Sequence, residues 1–328
     1  MGGTPHPRGR TCVVGNLLVD LLVRGVPALP AWGREVAGTG HAAVASGQAG
    51  YMALALGALD APVSVVSVLG ADADGALVRD ALAAAGVDVA GVETSAAGAT
   101  ALTVAIVRPD GERAFVSDFA CLRELDGALL ARHRAAVEQA STVALVGLFN
   151  LPGLTLDAAR ALLAAARAAG RRAVLDTGWD PAGWPAETVD GVLAMLADVD
   201  LFLPNGDEAR VLTGLDDPAD AAARLAERCP GLVVVKDGAG GCHARLGDRA
   251  WHAPAARVAV HDTVGAGDTF DAALVHALDG GWPVDRALAW ANATAGLYVS
   301  RAHDRFPAAA DVAAALPPVP DPDQEPHA

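Results

Sequence analysis

HDTVGAGDTFDAA, residues 261–273, is the stretch that decides how this chain folds and what it can bind. A strand-like run ends at Val260. Asp262 and Thr263 follow, then Gly265, Ala266 and Gly267, and Asp268 opens an apolar helix. Two glycines around Ala266 let the backbone turn tightly and aim several N–H groups at one point. A helix N-terminus adds unpaired amides and partial positive charge, which suits a phosphate. The same helix end favours an ionised Asp268. A carboxylate beside an anion hole can orient a hydroxyl and take its proton as the oxygen attacks phosphorus. Read on its own, Asp268 is equally an N-cap after a glycine turn.

Outward from this stretch the pattern alternates between strand and helix. Short apolar runs at 13–15, 17–23, 62–69, 142–146, 173–176, 199–203 and 232–235 read as strands. Helices are expected at 48–59, 73–85, 155–169, 219–228, 266–278 and 284–299. Asp72 or Asp74 marks the start of the second, and Gly86 stops it. The alternation implies a mostly parallel sheet covered by helices on both faces. Two hairpins interrupt it, at 101–107 with 112–117 and at 241–246 with 249–252. Pro109-Asp110-Gly111 is the turn of the first. That hairpin and the glycine-rich segment 33–47 read as excursions from the α/β body. No repeat and no interdomain linker is visible.

Composition narrows the classes. The chain has 328 residues, 52% hydrophobic and 19% charged, so it can bury a large core and global disorder is excluded. Acidic residues outnumber basic ones 39 to 24, for a net charge of -15, and Lys236 is the sole lysine. A nucleic-acid partner would need a basic surface that this chain lacks. Cys12, Cys121, Cys229 and Cys242 show no metal-ligand spacing and read as buried thiols. Neither a signal peptide nor a membrane span is expected, so the cytoplasm is the expected location by default. Residues 317–328, PPVPDPDQEPHA, read as a disordered acidic tail.

DTVGAGDTF resembles the C-terminal motif of the PfkB, or ribokinase-like, sugar kinases, and other pieces fall in that family's order. Gly15-Asn16-Leu17-Leu18-Val19-Asp20 resembles its N-terminal GxxxxD. Residues 46–53, SGQAGYMA, resemble GGxxxNxA. Val68-Leu69-Gly70-Ala71-Asp72 with Gly75 resembles VGxDxxG. Asp110-Gly111-Glu112-Arg113 resembles DGxR, Asn205-Gly206-Asp207-Glu208 resembles NxxE, and Ala291-Asn292-Ala293 resembles the start of the nucleotide-side helix. The resemblance covers about 11 to 315, nearly the whole chain.

It implies a ribokinase-like three-layer α/β/α sandwich with a mostly parallel central sheet. A small β-sheet lid would be formed near 33–46 and 99–118. It also implies transfer of the ATP γ-phosphoryl group to a sugar hydroxyl. Asp268 would then be the general base, and the amides of Gly265, Ala266 and Gly267 the anion hole. Asp20 and Gly47 would meet the sugar. Asn205, Lys236, Gly238, Thr263 and Asn292 would lie on the nucleotide side. Glu208 and Asn205 would hold Mg²⁺ through water, and Asp262 and Val264 match positions that bind a monovalent cation, K⁺, in some members. The family often dimerises through the lid, so a homodimer is an open expectation.

Several positions keep two readings. Asn205 with Glu208 is also a capping-box pattern. Ser46 and Tyr51 depart from GGxxxNxA, since Tyr51 stands where the family has asparagine. Tyr51 is either a core aromatic or a pocket wall favouring an acceptor with a ring or apolar group. Lys236 either faces the nucleotide or ends a strand at the surface. Trp179 and Trp184 either line the cleft or anchor the core, and His303 and Asp304 fall where the family closes over the base. The competing functions are a nucleoside kinase of the same family and a silent sugar- or nucleotide-binding homologue. A dinucleotide-dependent dehydrogenase would need GxGxxG after the first strand, which 15–17 does not supply.

Overall fold

A computed structural model describes residues 9–110, 112–301 and 306–316. Its strands are β1 (Thr11–Gly15), β2 (Leu18–Arg24), β3 (Gly40–Ser46), β4 (Val63–Gly70), β5 (Asp88–Ser95), β6 (Ala101–Val107), β7 (Arg113–Asp118), β8 (Thr142–Val146), β9 (Arg172–Asp176), β10 (Leu201–Phe202), β11 (Leu232–Lys236), β12 (Cys242–Leu246) and β13 (Arg249–Ala253). Nine form one sheet in the order β13-β12-β11-β10-β9-β8-β1-β4-β5. From β11 through β5 all neighbours are parallel, and the β12–β13 hairpin closes one edge antiparallel. The other four form a smaller mixed sheet, β3-β2-β6-β7.

The layers follow from the period of two along each strand. Val13, Val174 and Val234 enter one core, while Cys12, Val14, Ala173, Leu175, Val233 and Val235 enter the other. The first core lies under the helices Gln48–Ala58, Ala73–Ala84, Ala266–Asp279 and Val284–Val299. The second lies under Leu156–Ala168, Ala186–Met195, Gly206–Thr213 and Pro218–Ala226. Strands buried on both faces must be apolar throughout, which is why they read as continuous hydrophobic runs. The result is the ribokinase-like sandwich. The four cysteines are free and buried. Among the described residues no helix is long and apolar enough to cross a membrane.

Three expectations need correction. No strand runs into Val260: residues 254–260 are irregular, and Val260 is largely exposed. The strand at 199–203 shrinks to Leu201–Phe202, although the Leu203 N–H still bonds the Leu175 carbonyl. The run at 17–23 belongs to the small sheet, so that sheet is more than the two excursions. The chain leaves the large sheet at Gly15 and enters the small one at Leu18, with only Asn16 and Leu17 between. Three turn and tail features, Gly111, His303 with Asp304, and 317–328, lie outside the described residues.

Strand order reverses beside β1. The chain moves outward one way through β4 and β5, and the other way through β8, β9, β10 and β11. Such a switch point opens a crevice at the carboxyl ends of the strands. Asn16, Asp176, Asn205 and Lys236 all stand at those ends. Helix Gln48–Ala58 is brought close to the crossing by Gly47, which has φ 93°. A Cβ there would lie 2.9 Å from the Asn16 carbonyl carbon and run into its oxygen. The glycine is thus required by the chain's own crossing segment. Gly47→Ala should cost about 1–3 kcal/mol in urea unfolding. A loss within error of zero would show that the crossing can yield.

Candidate active site

The turn at 265–267 is fixed by crowding. Gly265 caps the helix Ala266–Asp279 with φ 77° and ψ 3°. A Cβ there would sit 2.9 Å from the Tyr51 ring and 3.0 Å from the Tyr298 hydroxyl. Asp268 therefore lies inside the first turn and is not the N-cap. The Ala266 N–H bonds the Thr263 carbonyl at 3.2 Å, and the Thr269 N–H bonds the Gly265 carbonyl at 2.9 Å. Amides in a first helical turn, here including Gly267 and Asp268, have no acceptor within their own helix. The turn thus retains an anion-facing end even though Ala266 is engaged.

Beneath the turn lies a charge cluster that the sequence reading missed. Lys236 Nζ, at the end of β11, bonds Asp176 Oδ2 at 2.7 Å and both Asp271 oxygens at 3.1 and 2.9 Å. Their side chains are 12%, 7% and 1% exposed. Lys236 is thus neither a surface lysine nor a free ammonium. It remains close to the turn, for a Cβ on Gly267 would lie 3.5 Å from Nζ. Asp271 follows Asp268 by three residues and so faces the same way on the helix. That spacing, in a mostly apolar helix, is the signal that could have pointed to it.

The cluster sets the local protonation. Burial opposes the charged form of Lys236, but Asp176, Asp271 and Glu208 outweigh it and hold the ammonium firmly charged. Burial also works against ionised Asp176, yet Lys236 keeps that carboxyl below the usual range. Asp271 is pushed up by burial and by the charge of Asp176. Burial, then the charges of Asp176 and Glu208, push Asp268 up to about 8 against the pull of Lys236. The helix dipole alone does not hold Asp268 ionised.

Asn205 and Glu208 form a complete capping box at the helix Gly206–Thr213. The Asn205 N–H donates to Glu208 Oε2 at 2.9 Å, and the Glu208 N–H donates to Asn205 Oδ1 at 2.9 Å. Asn205 also pairs with Lys236 in a parallel bridge, which ties the cap to the cluster. Glu208 is buried, and burial with the charge of Asp176 pushes it up to about 7. Four carboxyl groups around one ammonium leave an excess of acidic, oxygen-only donors that a bound cation would help to ionise. That chemistry fits a hydrated Mg²⁺ rather than a softer metal. Among the described residues no three His, Cys, Asp or Glu side chains are placed to hold a metal without help.

On the other side, the Tyr51 hydroxyl donates to Asp20 Oδ2 at 2.8 Å, and both side chains are buried. Tyr51 therefore connects Asp20 to the turn whose glycine its ring abuts. Burial and the nearby charge of Asp20 raise the Tyr51 phenol well above its ordinary value. Trp184 is buried edge-on against Phe149, with ring centres 4.8 Å apart, whereas Trp179 is half exposed.

The remaining candidates divide. Gly238 lies exposed in a tight turn just beyond Lys236. Asn292 is turned to structure: its Nδ2 donates to the Ala253 and Pro254 carbonyls at 2.8 and 3.1 Å, holding the end of β13 to the helix Val284–Val299. Thr263 and Asp262 meet Arg113 of β7, and Arg24 of β2 lies 3.8 Å from Asp262. The Val264 N–H also donates to Asp262, at 2.9 Å. A carboxylate already neutralised by guanidinium groups does not fit the expected K⁺ ligand.

A family model described as "pfkB family carbohydrate kinase" matches residues 35–310. The bifunctional protein HldE of Azorhizobium caulinodans is 30% identical over 93% of this chain, which spans 64% of that relative's length. The ATP-dependent ribose-1-phosphate kinase of Halopiger xanaduensis is 28% identical over 94% of this chain and 97% of its own. Among solved structures, Arabidopsis thaliana ribokinase complexed with ribose and ATP superposes with a TM-score of 0.78. It is 25% identical, over 94% of this chain and 98% of its own.

Removing the ammonium would strand two buried acids. Lys236→Met should lower stability by about 3–5 kcal/mol in chemical unfolding at pH 7. Asp271→Asn added to it should recover part of the loss. A fall below about 1 kcal/mol would mean that the cluster is more hydrated than its burial indicates.

Proposed function

The chain belongs to the pfkB family of carbohydrate kinases, and we propose that it transfers the ATP γ-phosphoryl group to a hydroxyl of a sugar or sugar-like acceptor, with Asp268 as general base. The observation that carries this reading is the position of Asp268. It stands in the first turn of a helix, after a left-handed Gly265, with a carboxyl pushed up to about 8. A base with a pKa near the working pH combines a useful ionised fraction with real proton affinity.

In this reading the acceptor hydroxyl approaches from the Asp20 and Tyr51 side. Asp268 takes the proton as the oxygen bonds to the γ-phosphorus, and the bond to the ADP oxygen breaks. Amides of the 265–267 turn face the charge that develops on the phosphoryl oxygens. Lys236 acts from below, by fixing the helix through Asp271 and by tempering the charge around Asp268. Glu208 and Asn205 would hold Mg²⁺ through its waters, and the ion would supply charge neutralisation for the nucleotide. The kinase unit would span 11–315. The lid also offers a face for a second copy, since Phe115 and Val116 on the edge strand β7 are 54% and 66% exposed.

An ATP-consumption screen over sugars, sugar acids, sugar phosphates and nucleosides should find an acceptor. Asp268→Asn should abolish its turnover while sparing nucleotide binding. Turnover near wild type in that variant would remove Asp268 from the role. The variant should also fold at least as well as wild type. A carboxyl raised from 3.8 to about 8 on folding weakens the fold as pH climbs between those values. Its melting temperature at pH 8 should thus equal or exceed that of wild type.

The pH profile follows from the same group. Since the base must be deprotonated, kcat/KM should rise with pH toward about 8 and then level off. A flat profile from pH 6 to 9 would contradict it.

A further inference from the structure

Lid and phosphate turn are joined by charge at one place. Arg113, the first residue of β7, donates to Asp262 Oδ1 at 3.0 Å and to Thr263 Oγ1. Arg24, the last residue of β2, approaches the other Asp262 oxygen. Both arginines stand level with Val107 in the strand register, so they share one row across the lid. The Asp262 side chain is 10% exposed and that of Arg113 is 22% exposed. A planar guanidinium bonded to a carboxylate and to the next residue's hydroxyl has a defined geometry, unlike a loose surface pair. Thr263 in turn gives its carbonyl to the Ala266 N–H. A shift of Thr263 is therefore passed to the turn.

We propose that Arg113 is the resident cation of the 262–264 loop, so that the shape of the 265–267 turn depends on the lid rather than on a bound monovalent ion. The inference rests on the kinase reading of that turn. Arg113 is a positioning residue: it acts on the reacting groups through Asp262 and Thr263. An ion such as K⁺ would have to displace a guanidinium from the carboxylate it was expected to use. Lid opening would withdraw that positive charge and loosen the loop, so closure and completion of the anion site become one event.

The test compares wild type, Arg113→Ala and Arg113→Lys in K⁺ and in tetramethylammonium media. Thallium(I) NMR reads ion binding, a fluorescent ATP analogue reads the site, and turnover is measured with an accepted sugar. Wild type should show no saturable thallium site and the same analogue affinity and turnover in both media. Arg113→Ala should lose between about tenfold and a hundredfold in kcat in tetramethylammonium, with a smaller change in acceptor KM. Added K⁺ or guanidinium should restore part of it. Arg113→Lys should recover less than full activity, because one ammonium cannot reproduce the fork. A saturable thallium site with K⁺ stimulation in wild type would overturn the proposal. So would an Arg113→Ala protein equal to wild type in tetramethylammonium. Thallium and analogue binding require no phosphoryl transfer. A protein that binds the analogue and transfers nothing therefore fails the kinase reading, while those two readouts still judge the loop.

Discussion

The buried ammonium of Lys236, held between Asp176 and Asp271, is the interaction on which the site depends. It joins the ends of β9 and β11 to the helix that starts at the 265–267 turn. Burying these groups is costly, and only their mutual pairing offsets the cost. The pairing is incomplete in a useful way. One ammonium stands among four carboxyl groups, and burial first, then the charge of Asp176, drive Asp268, Glu208 and Asp271 toward neutrality. In the proposed reading a base and a cation site share this buried, acid-rich setting, whose charge a metal–nucleotide complex would help to balance.

The second constraint is the chain crossing at Asn16 and Leu17. One strand end must serve two sheets, so the lid begins two residues after β1 stops. Asp20 on β2 meets Tyr51 on the helix after Gly47, and the Tyr51 ring in turn lies against Gly265. The Tyr51 hydroxyl on Asp20 and the Tyr51 ring against Gly265 make the proposed acceptor side and the proposed phosphate side a single packed unit. Tyr51 is a core aromatic by burial, and its ring lies beside Gly265.

Much of this was legible in the sequence where the cause is local. Gly265 and Gly267 announce a tight turn, Asn205 with Glu208 announces a cap, and both-face burial leaves continuous apolar runs. The missed features have causes far apart in the chain. Lys236 meets Asp176 across 60 residues and Asp271 across 35, and Arg113 meets Asp262 across 149. The residues of β3 alone do not read as a strand, because GHAAVAS is alanine-rich and its strand state comes from pairing with β2 rather than from propensity; only the family resemblance places a β lid segment there. The bonds of Asn292 have a similarly distant cause: its amide answers the carbonyls of Ala253 and Pro254, which no local pattern reveals.

The most direct measurement is the ionisation of Asp268 itself. Carboxyl carbon-13 NMR of the free protein, assigned by comparison with Asp268→Asn, follows that one group through a pH titration. The account predicts a midpoint near 8. A midpoint near 4, the ordinary carboxylate value, would show that the buried cluster does not tune the base and would contradict the account at its centre.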